Sequence, residues 1–300
     1  MARKVGFAGA GLVVTDRHAR GLVRKFLQEE RQRSAEVRRR MMRIQLRAAP
    51  SLRASHRVLE QVDKAWAPQS IASCVDTSPD GAARLGVAYL DTVPAHLKGS
   101  SGLVARSRMQ RYLIRPDDGA YWSAAPGFAS FTQHSLERVM QRGLHWNKVT
   151  RDLAVAAIVA NARLHEFASS NGFKRTMVPG HCGVFVGDFT PDQPFLRFDT
   201  FLPIGAAGRH HCDLLVELAG LLWTGNRYTE LMPALFYPGE PSPLMDAVLR
   251  VYEKHRWLMR REHEPGADWF GQAVAHKGKD LRSQPEARAS LPVPAEAPMQ

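Results

Sequence analysis

The sequence predicts an α+β fold, and three observations predict it. Between Phe128 and Pro203, two segments of helical periodicity are followed by three short apolar runs of strand character. Ahead of that block, a strongly basic segment repeats its apolar residues at helical spacing. After Pro203 the pattern turns helical again. Hydrophobic residues make up 44% of the 300 and charged residues 23%, the balance of a globular protein. A wholly disordered chain, a collagen-like repeat and a disulfide-stapled miniprotein are excluded. No apolar run reaches the roughly 18 residues of a membrane-spanning helix.

The first helix starts at Thr15 or Asp16, either of which can cap it, and Pro50 ends the segment. Leu22, Phe26, Val37, Met41 and Ile44 form its apolar stripe. A short helix is expected over 55–66, with Val58, Leu59, Val62 and Trp66 on one side. Strands are expected at 84–90 and 111–114, separated by a looser stretch that ends in the linker-like Lys98-Gly99-Ser100-Ser101-Gly102. Ser130 or Thr132 caps a helix from about 133 to 142, which Gly143 stops. Asn147 caps a second helix, 149–168, ended by Asn171-Gly172. Strands at 174–178, 182–189 and 195–202 have short connections and should pair as an antiparallel meander. Helices are expected at 213–223, 229–236 and 243–261. The final residues are proline- and alanine-rich and read as a disordered tail.

Charge divides the chain unevenly. The net charge is +12, yet residues 1–57 hold 15 Lys or Arg against 4 Asp or Glu, while the remainder is close to neutral. The organisation expected is a basic helical arm (1–57), a small mixed segment with a linker (58–127) and an α+β core (128–212). A helical C-terminal part packed on the core (213–263) and the tail (264–300) complete it. An arm so basic implies an anionic partner. Arg31, Arg38, Arg39, Arg40, Arg43 and Arg47 are the candidate nucleic-acid-binding residues, tracking phosphates. The same helix could instead dock on the body through its apolar face, or lie on an anionic membrane surface. Phe26 is its lone aromatic residue, which tips the balance toward nucleic acid.

The candidate catalytic residues begin on the helix after Phe131. His134, Arg138 and Gln141 share one side at helical spacing, with Arg142 at its edge. Metal-free phosphodiester cleavage needs a group that moves protons near neutral pH and guanidiniums that hold the charge growing on phosphate. The bland alternative is a locally packed His134 with Arg138 paired to Glu137 or Glu166. The run His134-x3-Arg138-x3-Arg142-Gly143, opening a helix before a small antiparallel sheet, resembles the barnase–EndoU–colicin–RelE group of toxin-like ribonucleases. Arg197-Phe198-Asp199-Thr200-Phe201-Leu202-Pro203 is similar to that group's late strand. The likeness spans about residues 128–203. It implies that His134 transfers protons, Arg138 and Arg142 hold phosphate, and Thr200 contacts phosphate or ribose. His181 is the nearest candidate for a second catalytic histidine.

Other constellations carry less. His181-Cys182 and His210-His211-Cys212 have zinc-ligand types, but neighbours on a strand face opposite ways and no paired C-x2-C is present, so no metal is expected. Gly6, Gly9 and Gly11 do not complete a dinucleotide fingerprint, because Val14 stands where the third glycine belongs. No cofactor is expected. Cys182 enters an apolar strand and reads as a core residue more readily than as a nucleophile. Trp223, Trp257, Trp269, Tyr228, Tyr237 and Tyr252 read as core and domain contacts. Three widely spaced cysteines, and an N-terminal apolar stretch without a small-residue cleavage site, predict a reducing, cytoplasmic setting.

The leading expectation is therefore a metal-independent endoribonuclease of toxin or effector type, with RNA preferred over DNA and a cognate inhibitor protein as a further partner. The alternatives are a non-catalytic nucleic-acid-binding protein of a mobile element or regulatory system, and an effector that docks on a membrane or a protein.

Overall fold

The computed structural model describes residues 15–47, 49–94, 103–116, 118–142, 146–180, 183–189, 195–203 and 209–260. The fold is α+β. In chain order it runs α1 (Asp16–Met41), α2 (Leu52–Trp66), β1 (Ser70–Thr77), β2 (Ala83–Pro94), β3 (Leu103–Arg115) and β4 (Gly119–Phe131). Then come α3 (Gln133–Arg142), α4 (Trp146–Val159), α5 (Ala162–Asn171), β5 (Arg175–Pro179), β6 (Gly183–Phe189) and β7 (Leu196–Pro203). The C-terminal part holds α6 (Arg209–Leu222), a 3-10 segment (Thr224–Leu231), α7 (Met232–Phe236), α8 (Pro243–Lys254) and α9 (Arg256–Arg260).

Seven strands form one sheet in the order β1-β2-β3-β4-β7-β6-β5. β5, β6 and β7 make the antiparallel meander that the sequence predicts. Two long hairpins extend it: β1 to β4 pair antiparallel in sequence, and β4 joins β7 in parallel at Ala129–Leu196 and Phe131–Phe198. A domain boundary at 127/128 would fall inside β4, so the sheet is continuous across the division expected there. β1 and β4 escape sequence reading because their strand formers are diluted by small residues. Ile71, Val75 and Thr77 stand among Ser, Ala, Cys and Asp in β1, and Tyr121, Trp122, Phe128 and Phe131 of β4 are interrupted by Gly, Ala, Ser and Pro126. A bulge between Arg106 and Arg108 accommodates that stretch. There the Ser107 hydroxyl accepts from Ala129 N (3.0 Å) and donates to Ala129 O (3.1 Å).

The helix expected over 149–168 is two helices. Asn161, fully buried, accepts from Leu164 N (3.1 Å) through its side chain and so starts α5 where α4 has ended. Gly172, with φ of 65°, closes α5 in the left-handed region that glycine adopts without strain. The large core joins Phe131, Phe185, Phe198 and Phe201 of the sheet to α3, α4, α6, α7 and α8. A second core lies under α2 on the other face of β2 and β3, with Leu59, Val62, Leu85, Val87 and Ile114.

The basic segment is part of this fold. Thr15 caps α1 by accepting from His18 N (3.3 Å). Val23, Phe26 and Leu27 enter the large core, and Val37 enters the second, so α1 ties the two together. Among the described residues, no helix is long and apolar enough to cross a membrane.

Glu30 is buried on the inner side of α1, with Arg33 at 2.6 Å. Burial pushes its carboxyl up to about 7 from an ordinary 4.5, against the opposing pull of Arg33. Because the folded value lies above the unfolded one, the fold favours the protonated acid. The cost of burying its charge is absent below 4.5, grows through the interval and is complete above 7. Glu30→Gln is therefore expected to stabilise the protein by about 2–3 kcal/mol near pH 8 and hardly at all near pH 4. Urea unfolding at the two pH values reads this, and equal effects at both would refute it.

Candidate nucleic-acid interface

On the face of β2 and β3 that carries the second core, alternate residues line up through cross-strand register. Tyr89 stands opposite Arg108, Asp91 opposite Arg106, and Val87 opposite Gln110. Tyr112 is opposite Trp122 of β4. The C-terminal half of α1 crosses this surface, and a pocket of about 280 Å³ remains beneath it. Its walls combine Val37, Arg38 and Met41 of α1 with Trp66, Tyr89, Asp91, Gln110, Tyr112 and Trp122.

The aromatic walls are held in place. Trp66, the last residue of α2, donates from Nε1 to Tyr112 Oη (2.8 Å), and its ring lies 4.7 Å from that of Tyr89. Gln69, almost fully buried, donates to Ser34 Oγ (2.6 Å) and to Leu90 O (3.0 Å), pinning α1 to the sheet above the pocket. Burial pushes the Tyr112 phenol up to about 12 and raises Tyr89 as well, so both stay protonated at neutral pH. The buried Oε1 of Gln110 has no partner among the described residues. Trp122 closes one side while remaining 63% exposed.

The rim is basic. Arg31, Arg38, Arg39, Arg40, Arg43 and Arg47 are all exposed, as a phosphate-tracking surface requires. Arg40 pairs with Glu36, and Arg39 donates from Nε to Ala35 O (3.4 Å). Arg31, Arg38, Arg43 and Arg47 form no ion pair among the described residues. Asp91 is the one acid that lines the pocket, and Arg108 Nε lies 3.4 Å from its carboxylate.

The candidate catalytic residues are distributed differently. His134 is exposed near the start of α3, and Arg138 stands one turn further on, half-buried. Arg138 donates to Gln141 Oε1 (2.8 Å), and Gln141 in turn donates to Asp16 (2.6 Å), linking this side of α3 to the start of α1. The expected pairing of Arg138 with Glu137 or Glu166 does not form. Thr200 pairs with Val186, and Leu202 with Val184, on the sheet face that packs against Leu215 of α6. The apolar side of α3 joins the core on the opposite face, with Phe131 and Phe198. Thr200 thus lies on the face of β7 opposite Phe198 and Phe201, while the start of α3 meets the neighbouring Asp199, whose carbonyl accepts from Thr132 Oγ1 (3.2 Å). An irregularity between Val186 and Gly187 sets the face that Thr200 takes. Around it, Arg197 holds Asp199 (2.9 Å) and Arg175 holds Asp188 (2.6 Å). Burial raises the Asp199 carboxyl, while Arg197 opposes the rise.

The side chain of Arg142 and all of His181 and Cys182 lie outside the described residues, as do the side chains of His210, His211 and Cys212 and the linker-like stretch 98–102. Residues 209–222 form a helix, so the strand geometry weighed for 210–212 does not apply. Trp223 and Tyr252 are buried, as a core reading requires.

Sequence reasoning passed over Trp66, Tyr89, Gln110, Tyr112 and Trp122. They lie far apart in the chain, and only strand alternation on β2 and β3 could have put part of the set on one face.

The chain matches no protein-family model, no curated protein and no solved structure. The likeness to toxin-like ribonucleases thus rests on the residues quoted for it alone.

Proposed function

We propose that the chain is a cytoplasmic protein that binds single-stranded RNA along the C-terminal half of α1. One observation carries this reading: a ring-lined pocket opens beside Arg38, which forms no ion pair among the described residues. Such a combination suits a flexible polyanion with exposed bases, since arginines take phosphates while rings take bases. A membrane surface would engage the charge but leave the ring-lined pocket unused.

Anisotropy titration of a fluorescent single-stranded RNA oligonucleotide against the full-length protein tests this. Binding is expected at low salt, with affinity falling linearly on logarithmic axes as salt rises. A matched DNA strand is expected to bind more weakly, and anionic vesicles are expected not to compete. Absence of RNA binding at low ionic strength, or equal displacement by vesicles, would overturn the proposal.

A second reading is RNA cleavage, favoured by the exposed His134 standing one turn from Arg138. On that reading the imidazole moves protons and the guanidinium holds phosphate. His134→Ala is then expected to abolish degradation of total RNA while leaving anisotropy binding intact. Unaltered degradation would remove His134 from that role, and absence of degradation by the wild type would leave binding as the whole activity.

A further inference from the structure

The pocket under α1 has chemistry finer than phosphate affinity. At about 280 Å³ it falls at the small end of sites for compact organic ligands, which span roughly 300–1,000 Å³. Its walls are aromatic on several sides, with Trp66 and Tyr89 at 4.7 Å and Trp122 left 63% exposed. A tryptophan so open on a strand face gives up burial that a stacked ring would supply. Gln110 also lines it, and its Oε1 is a buried acceptor without a donor among the described residues. A buried acceptor in that condition costs free energy until a ligand N–H reaches it. Arg38 lines the pocket with a guanidinium for phosphate, and Asp91, with Arg108 at 3.4 Å, gives its own part of the wall a charge unfavourable to phosphate.

We propose that this pocket is a subsite for one unstacked nucleobase of single-stranded RNA, received among Trp66, Tyr89, Tyr112 and Trp122, with a base N–H donating to Gln110 Oε1. The inference rests on the RNA-binding reading and makes it more specific. A base within a duplex is excluded, because its faces are stacked and its pairing edge is occupied. Phosphate beside the bound base lies toward Arg38, so the strand runs along α1 past Arg31 and, beyond the end of that helix, past Arg43 and Arg47.

The test compares a short single-stranded RNA with the same strand carrying one abasic residue, by anisotropy and Trp quenching, on wild type, Trp122→Ala and Gln110→Leu. Trp122 is exposed, so its replacement leaves the core untouched. Losing the stacked base is expected to weaken binding about 5- to 150-fold. Trp122→Ala should cause a similar loss, and the abasic strand should then lose nothing further. Gln110→Leu should weaken the intact strand but not the abasic one. If every strand binds with the same salt dependence, indifferent to Trp122 and to the abasic position, the subsite is refuted while the RNA-binding reading stands. If no strand binds, both fall. If a free nucleoside monophosphate binds as tightly as the oligonucleotide, the pocket is a nucleotide receptor and the strand assignment is overturned.

Discussion

Replacing Arg31, Arg38, Arg43 and Arg47 together by Ala is expected to weaken RNA binding several-hundredfold near 0.1 M salt. Each arginine that neutralises a phosphate of a single strand releases about 0.7 of a counterion. Four such contacts steepen the salt dependence by about 3 in logarithmic slope, which at 0.1 M corresponds to nearly three orders of magnitude in affinity. The four side chains are exposed and make no ion pair among the described residues, so their loss removes no structural bond. Unfolding midpoints should be little changed, whereas the slope should drop by about 3. An unchanged slope would mean that the RNA contacts lie elsewhere on the molecule.

Gly86→Val is expected to produce the largest loss of stability. A Cβ at this position would sit 2.3 to 2.7 Å from three atoms of the Phe236 ring, well inside van der Waals contact. That ring is fully buried and fixes α7 against the sheet, and Gly86 lies in β2 between two paired neighbours. Neither side can give way cheaply. Overpacking of this kind costs about 3 kcal/mol, with the extra branches of Val adding to the strain. Gly220→Ala is the matched control, because nothing stands within 4 Å of its Cβ position on α6. There the gain in helix propensity should stabilise by about 0.5–1 kcal/mol. Denaturant unfolding of the two variants should move in opposite directions; parallel shifts would show that the Phe236 contact does not decide the cost.

The candidate site was legible only in its charged half. Arginines on an amphipathic helix announce themselves by local spacing, and the helix stripe of Phe26 and Val37 was readable for the same reason. The aromatic half was not, because Trp66, Tyr89, Tyr112 and Trp122 belong to α2, β2, β3 and β4. They meet only once those strands are paired in their actual register. Thr200 illustrates the converse. Its residue type and strand were evident, but a single irregularity opposite Val186 decides which face of the sheet it occupies.

What the sequence determined by itself was local: α+β order, the caps at Thr15 and Thr132, the β5–β7 meander and the concentration of charge before residue 57. Each depends on neighbours within a few positions, where backbone propensity and side-chain spacing act directly. Only the tertiary structure decided that β1 to β4 extend the same sheet, that the basic helix is tied into both cores, and that a ring-lined pocket opens beneath it. Those features come from pairing and packing between residues dozens of positions apart, where the small residues that interrupt β1 and β4 are carried by their cross-strand neighbours rather than by their own propensity.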